Sequence, residues 1–320
     1  VLGLGAVLAL SACASSPQAG PSTGSTPSTT RVASTSHGSS SGAPAAGPSA
    51  AAPSGQGVSA NGSVAPGSIA PPPGPSWHAG PGSTAVQVAT LPGGDVSLLW
   101  MDPTRLRYRY VPGYAVPEGS PATPADRTPA TWVPQMLAAF DSGYKLSDHV
   151  GGYYYLGRTV APLRAGLASL VIGKDGSLSV GTWGRDLSMT PNTLVVRQNL
   201  RPLVLDGVSQ ASATDRPRTW GISNGNRPRA NRSALGRLPD GGLVFVYAHD
   251  VTAAGLADVL VSLGVRAAID LDMNVSWPTG FVYSHAGGNV VGHKINPHIV
   301  RSPSTYLSRF KKDFVVVEPR

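Results

Sequence analysis

The chain has one cysteine in 320 residues, so it can form no internal disulfide, and thiolate chemistry is excluded beyond position 13. It also lacks a long apolar run: Val1 to Leu10 is almost wholly apolar but too short to span a bilayer. From Ala14 to about Ser76 large apolar side chains are nearly absent, and Ser, Gly, Pro, Ala and Thr dominate. Such a stretch cannot bury enough surface to offset the entropy of ordering and reads as a flexible tether. The Gly-x-Ser-x-Gly elbow, the phosphate-binding glycine loop and the dinucleotide fingerprint are all missing. Serine hydrolase, kinase and dehydrogenase chemistry lose accordingly. His249, His285, His293 and His298 show no ligand spacing of the His-x-x-x-His kind, which gives a zinc site little support.

What is present divides the chain in three. Leu10-Ser11-Ala12-Cys13 fits a bacterial lipobox, in which cleavage before the cysteine frees Cys13 for a diacylglycerol; the alternative is an ordinary secretory signal with an incidental cysteine. A charged n-region is not among these residues, the chain opening on Val1. Residues 1–13 are therefore expected to be signal and lipobox, 14–76 a disordered linker and 77–320 the folded domain. On this reading the protein is exported and held by lipid on the outer face of the cell membrane. The formal charge of +8 belongs almost entirely to the folded part, because Arg31 and His37 are nearly the only titratable groups of the tether. Outside the cell, that balance suits phospholipid headgroups, wall polymers or phosphodiesters rather than nucleic acid, and equally suits a solvated basic surface without a partner.

In the folded part, apolar or alternating runs at Thr84 to Leu91, Val96 to Met101 and Arg105 to Val111 predict strands joined by short turns. Trp132 to Phe140, with Met136, Leu137 and Phe140 at helical spacing, predicts a short helix. Leu167 to Ile172 and Leu178 to Trp183 flank an Asp175-Gly176 pair suited to a hairpin turn, and Thr193 to Val196, Leu203 to Leu205 and Leu243 to Ala248 add strands. Thr252 suits an N-cap, Leu256, Val259, Leu260 and Leu263 form one apolar stripe, and Gly264 suits a left-handed terminus. A strand over Ala267 to Asp272 follows, with a closing strand at Phe314 to Val317. The expected class is α+β: a mixed, mostly antiparallel sheet with a few packed helices, without internal repeats.

The strand over Ala267 to Asp272 is unusual because it carries acids within a buried run. Alternation sends Ile269 and Leu271 one way and Asp270, Asp272 and Asn274 the other. Carboxylates about 7 Å apart along one strand repel and resist desolvation, so they persist where they meet a cation, donors or a polar ligand. As an acid/base pair they suit glycosyl-bond hydrolysis; as structural residues they would cap turns. The spacing also imitates the first half of an EF-hand, but Val275 stands where glycine is needed and Phe281 where the bidentate glutamate belongs. Another oxygen-bound divalent cation stays open.

Two further clusters could serve a ligand. Phe140-Asp141-Ser142-Gly143-Tyr144-Lys145, leading to Tyr153, Tyr154 and Tyr155, combines small residues, stacking faces and a charge for a phosphate. Arg216, Arg218, Arg227, Arg229 and Arg232 offer guanidinium groups that match phosphate oxygens; of these, Arg232 is fixed by Ser233-Ala234-Leu235-Gly236, immediately before a strand.

In order, the Phe140 to Lys145 loop, the Arg232 to Gly236 segment, a strand, the helix ending Leu263-Gly264 and Asp270-Leu271-Asp272 resemble the phosphodiester glycosidase domain, over roughly Ala85 to Pro319. Gly151-Gly152-Tyr153-Tyr154, Trp183-Gly184-Arg185-Asp186, Arg197-Gln198-Asn199-Leu200 and Trp277-Pro278 look like the branch found in actinobacterial exported proteins. Asp272, Arg232 and Gly143 match family positions. Where the family has Asn-Leu-Asp-Gly-Gly-Gly-Ser, this chain reads Asp270-Leu271-Asp272-Met273-Asn274-Val275-Ser276. The resemblance implies hydrolysis of a glycosyl phosphodiester in an envelope glycan or glycolipid. Asp272 and Asp270 would be the acid/base or metal-holding pair, Arg232 and Lys145 would hold phosphate, and Asp141 and Asn274 would bind sugar hydroxyls. A non-catalytic glycan- or phosphoglycan-binding lipoprotein on the same scaffold, and a purely structural envelope protein, are the alternatives.

Overall fold

Alternation sets the architecture. Along Val96–Met101, Leu99 and Met101 enter one core while Leu98 and Trp100 enter another; along Leu243–Val251, Leu243, Phe245 and Tyr247 alternate with Val244, Val246 and Ala248 in the same way. A sheet covered on both faces needs this two-sided apolar pattern. The computed structural model describes residues 67–121, 125–216 and 218–320; Cys13, its lipobox and the tether as far as residue 66 lie outside the described residues.

The two strands sit centrally in an eight-stranded sheet ordered His78–Gly80, Ser83–Thr90, Val96–Met101, Leu243–Val251, Ala230–Arg237, Ala267–Met273, Val204–Leu205 and Val208–Ser209. A five-stranded sheet runs Arg158–Ala161, Tyr153–Tyr155, Thr193–Gln198, Ala168–Gly173 and Leu178–Thr182. Another runs Asn289–Lys294, Gly280–Ala286, Ala138–Asp141, Phe314–Pro319 and Leu106–Val111. The ladders within these sheets are antiparallel. The larger core brings together side chains of all three sheets, among them Leu99, Phe140, Val195, Phe245, Phe281 and Phe314. The smaller lies between the eight-stranded sheet and the helix Ala253–Ser262, whose Leu256 and Leu260 are fully buried. Ile69 and Trp77 are half-buried against this second core, and Trp77 Nε1 donates to the Pro72 carbonyl at 2.8 Å.

The mixed, mostly antiparallel class holds, with one α-helix among the described residues. Thr252 caps it, its Oγ1 accepting from Gly255 N at 3.1 Å, and Gly264 turns the chain out of it at φ 78°. No helix among the described residues is long and apolar enough to cross a membrane. The helix expected over Trp132 to Phe140 does not form. A single 3-10 turn covers Val133–Gln135, and Ala138–Asp141 is a strand. Phe140 pairs with Gly280 on one side and Val315 on the other, so neighbouring strands supply the backbone partners that a helix would have supplied from within. Helical spacing and a fully buried strand both place Met136, Leu137 and Phe140 inside, and tertiary pairing decides between them.

Candidate functional site

The strand Ala267–Met273 is buried along its whole length, between Ala230–Arg237 and the short strand Val204–Leu205. Its register slips opposite Ser233 and Ala234, which pair with Asp272 and Asp270, so Leu271 is an extra residue and the strand bulges between the two acids. Asp270 and Asp272 consequently meet different partners.

Asp270 has no exposed surface. Its Oδ2 lies 2.9 Å from Tyr144 Oη and 3.5 Å from Arg232 Nη1, while its Oδ1 has no partner. Tyr144 Oη and Arg232 Nη1 both also reach the Trp220 carbonyl, at 2.9 and 3.0 Å. A phenol has a single hydrogen to donate. If it goes to Trp220, the Tyr144–Asp270 contact is a hydrogen bond only when the carboxyl itself is protonated and donates. The direction of the Asp270 pKa agrees: burial pushes it up to about 6, against the opposing pull of Arg232 and Tyr144.

Asp272 belongs to a second cluster. Its Oδ1 accepts from Met273 N at 2.7 Å, and its Oδ2 is ion-paired with Lys312 Nζ. Ser233 Oγ accepts from Asp272 N at 3.1 Å and donates to Asp141 Oδ2 at 2.7 Å, while Asp141 Oδ1 accepts from Thr279 N at 2.8 Å. Ser233 thus bridges Asp272 to Asp141. Burial raises the Asp141 carboxyl to about 6, with Lys312 and then the Thr279 and Ser233 hydrogen bonds opposing. Burial also lowers the Lys312 ammonium to about 8, against the Asp141 and Asp313 carboxylates. Arg197 completes the network: its Nε donates to Asp313 Oδ2 at 2.8 Å and its Nη1 to Asn199 Oδ1 at 3.2 Å, while Asn199 Nδ2 donates to the Asp270 and Leu271 carbonyls at 3.0 Å each.

Four carboxyls, Asp141, Asp270, Asp272 and Asp313, therefore share the interior with three cations, Arg197, Arg232 and Lys312. One retained proton balances the charges. Burial is what makes Asp141 and Asp270 hold their protons more tightly than usual, against the pull of Lys312 and Arg232.

The structure brings Asp141, Arg232, Asp270 and Asp272 into this network and leaves Lys145 and Asn274 at its margins. Lys145 is half-buried with Nζ 5.3 Å from the Trp277 ring centroid, a ring also approached by Lys312 Nζ at 5.1 Å and Arg301 Cζ at 4.8 Å. Beside it, Lys145, Ser147, Lys311, Lys312 and Asp313 line a hollow of about 30 Å³. Asn274, at φ 82°, accepts from Asn224 N through Oδ1 at 2.8 Å and donates through Nδ2 to the Ile222 carbonyl at 3.3 Å. It clips the 220–224 segment over Tyr144 and Asp270. Gly221 permits that approach, since a Cβ there would lie 2.4 Å from Tyr144 Oη. Arg216, Arg218, Arg227 and Arg229 are exposed, and Arg232 lies within the strand Ala230–Arg237 rather than before one. Tyr153 is buried, packed against Tyr110 and Tyr155, and presents no free stacking face.

The Asp270-x-Asp272-x-Asn274 oxygens do not converge. Arg232 and Lys312 already face the two carboxylates and Asn274 Oδ1 faces Asn224, so this donor set does not fit an oxygen-bound divalent cation. Lys312, Asp313 and Ser233 belong to the network and carry no local motif. The available signal is Lys312-Asp313 directly before the apolar run Phe314 to Val317, charges placed where a core strand begins.

No family model matches the chain, and no curated protein matches its sequence. Among solved structures, the catalytic domain of zebrafish N-acetylglucosamine-1-phosphodiester alpha-N-acetylglucosaminidase, auto-inhibited by its pro-peptide, is similar at TM-score 0.44 and 16% identity, over 77% of this chain and 88% of that one. A hypothetical protein from Synechocystis is similar at TM-score 0.37 and 12% identity, over 76% of this chain and 61% of that one. Likeness at this level assigns the chain neither a family nor an activity.

Proposed function

We propose that the protein is an exported hydrolase of a glycosyl phosphodiester in an envelope glycan or glycolipid, tethered through lipid on Cys13. The observation that carries this reading is the contrast between the two strand acids. Asp270 has a pKa raised to about 6 beside Tyr144, and Asp272 is ion-paired with Lys312 next to the lysine-lined hollow. Two carboxyls in such different settings are suited to opposite tasks, Asp270 in its protonated form, the major one below about pH 6, giving a proton to the leaving oxygen and the ion-paired Asp272 activating water or stabilising positive charge at the anomeric carbon. Lys145 and Lys312 would receive the phosphate, Arg232 would hold Asp270 in place, and Asp141 would adjust Asp272 through Ser233. Substrate reaches Asp270 in this scheme only after the 220–224 segment lifts from it, with Asn274 releasing its clip.

One observation favours a second reading, a phosphoglycan-binding protein without catalysis: Asp141, Asp270 and Asp272 are each at most 2% exposed, so the hollow beside Lys145, whose one carboxyl is that of Asp313, takes an anion without either strand acid meeting it. Purified protein assayed on a synthetic sugar phosphodiester, with and without divalent cations, separates the two. Hydrolysis that disappears in Asp272→Asn supports the first. Equal turnover by both proteins removes the catalytic assignment, and saturable binding of wall polymer without product supports the second.

A further inference from the structure

Three residues far apart in the chain meet at one end of the large sheet, and the acid network uses none of them. Asp95 ends the turn before Val96–Met101, His249 lies near the end of Leu243–Val251, and His298 follows Asn289–Lys294. Val96 pairs with Ala248, and His249 N donates to the Asp95 carbonyl at 2.8 Å, which fixes those two backbones together. The fully buried Asn296 fixes the third: its Nδ2 donates to the Gly94 carbonyl at 2.9 Å and Ser97 Oγ at 3.0 Å, and its Oδ1 accepts from His298 N at 2.9 Å.

The side chains held this way form a compact donor set. The imidazoles of His249 and His298 stack with centroids 3.9 Å apart and planes 8° from parallel. His298 Nε2 lies 3.6 Å from Asp95 Oδ1, and one ligand atom from each residue falls within 4.8 Å of the others. His249 Nδ1 is buried with no hydrogen-bond partner, which is costly for an imidazole nitrogen unless something outside the chain completes it.

We propose that Asp95, His249 and His298 form a binding site for a first-row d-block dication of the zinc type. Two imidazole nitrogens and a carboxylate oxygen are the ligands such ions prefer, whereas magnesium and calcium select oxygen alone. Tetrahedral bonds of about 2.0–2.1 Å place ligand atoms about 3.4 Å apart. Closing from 4.8 Å requires rotation of Asp95 and His298, whose side chains are 62% and 43% exposed. Three protein ligands leave a fourth position for water or an anionic oxygen. Local spacing rules miss the site because its ligands come from three separate segments.

Calorimetric titration of zinc chloride into the full chain, in excess magnesium, tests this. Saturable binding of one ion per chain is expected, with affinity lowered about tenfold or more in His298→Ala, His249→Gln and Asp95→Asn and unchanged in His293→Ala. His298 and Asp95 are exposed enough for their variants to fold, which circular dichroism verifies. Lack of saturable binding, or binding that survives both His298→Ala and His249→Gln, overturns the proposal and leaves the pair as stacked surface rings. Phosphodiester hydrolysis is a separate readout, so failure here does not bear on the acid network.

Discussion

Replacing Asp270 with asparagine should stabilise the protein near neutral pH, although the residue is buried and hydrogen-bonded. In the unfolded chain the carboxyl ionises at its ordinary value of 3.8; in the folded state burial raises that to about 6. A carboxyl whose folded pKa is raised contributes stability that is fully present below the unfolded pKa and is lost as pH rises through the folded one, so the loss falls between about pH 4 and pH 6. Each pH unit of difference is worth ~1.4 kcal/mol, which makes the loss about 3 kcal/mol by neutral pH. No discount for solvent applies, since the side chain has no exposed surface. Asparagine resembles the protonated acid: its amide N–H can donate to Tyr144 Oη, its amide oxygen can accept from Arg232, and it never ionises.

Urea unfolding at about pH 4 and about pH 7 measures this directly. Wild type and Asp270→Asn should be nearly equal in stability at the acid end, and the variant more stable by up to about 3 kcal/mol at the neutral end, with unchanged m-values. The two pH profiles should converge on acidification. If Asp270→Asn is less stable at neutral pH and keeps the full slope of the wild type between the two, then the carboxyl is charged throughout, Arg232 outweighs burial, and the acid role given to Asp270 fails with it. A stabilising change at Asp270 that also abolished turnover would mark a group held in an unfavourable state for its chemistry.

Two further outcomes probe the rest of the network. Lys312→Met leaves Asp272 and Asp141 facing each other across Ser233 without their cation, so it should cost about 3–5 kcal/mol in the same unfolding assay. Adding Asp272→Asn should recover much of that, and recovery absent from the double variant would show that the Lys312–Asp272 pair is not the coupled unit. Asn274→Gly keeps a residue able to hold φ 82° but removes both hydrogen bonds to the 220–224 segment. Limited trypsin digestion should then cut faster at Arg218 and Arg229, the bond after Arg227 being closed to trypsin by Pro228, while the global urea midpoint moves little; an unchanged cutting rate would mean that Asn274 does not hold that segment down.

Which parts of this site could be read from the sequence follows from how each residue is held. Period-two alternation and turn chemistry are local, so strands such as Val96–Met101 and the Thr252-capped helix follow from their own residues, as does the burial of acids in Ala267–Met273. Arg232 was legible for a similar reason, because the small and apolar residues after it tie it to the sheet while its exposed neighbours Arg227 and Arg229 lie in a polar loop. The pairing of charges was not local. Alternation alone sends Asp270 and Asp272 to one shared face, but a bulge at Leu271, created by register with Ser233 and Ala234, separates them. Asp272 then meets Lys312, which follows it in the chain, and Asp270 meets Tyr144, which lies 126 residues before it. Bulges and long-range ion pairs are set by how strands match across a sheet, and no window along one strand contains that information. The same reasoning covers the helix expected over Trp132 to Phe140 and the histidine cluster: one was a local pattern overruled by pairing on both edges, the other a constellation that only pairing creates.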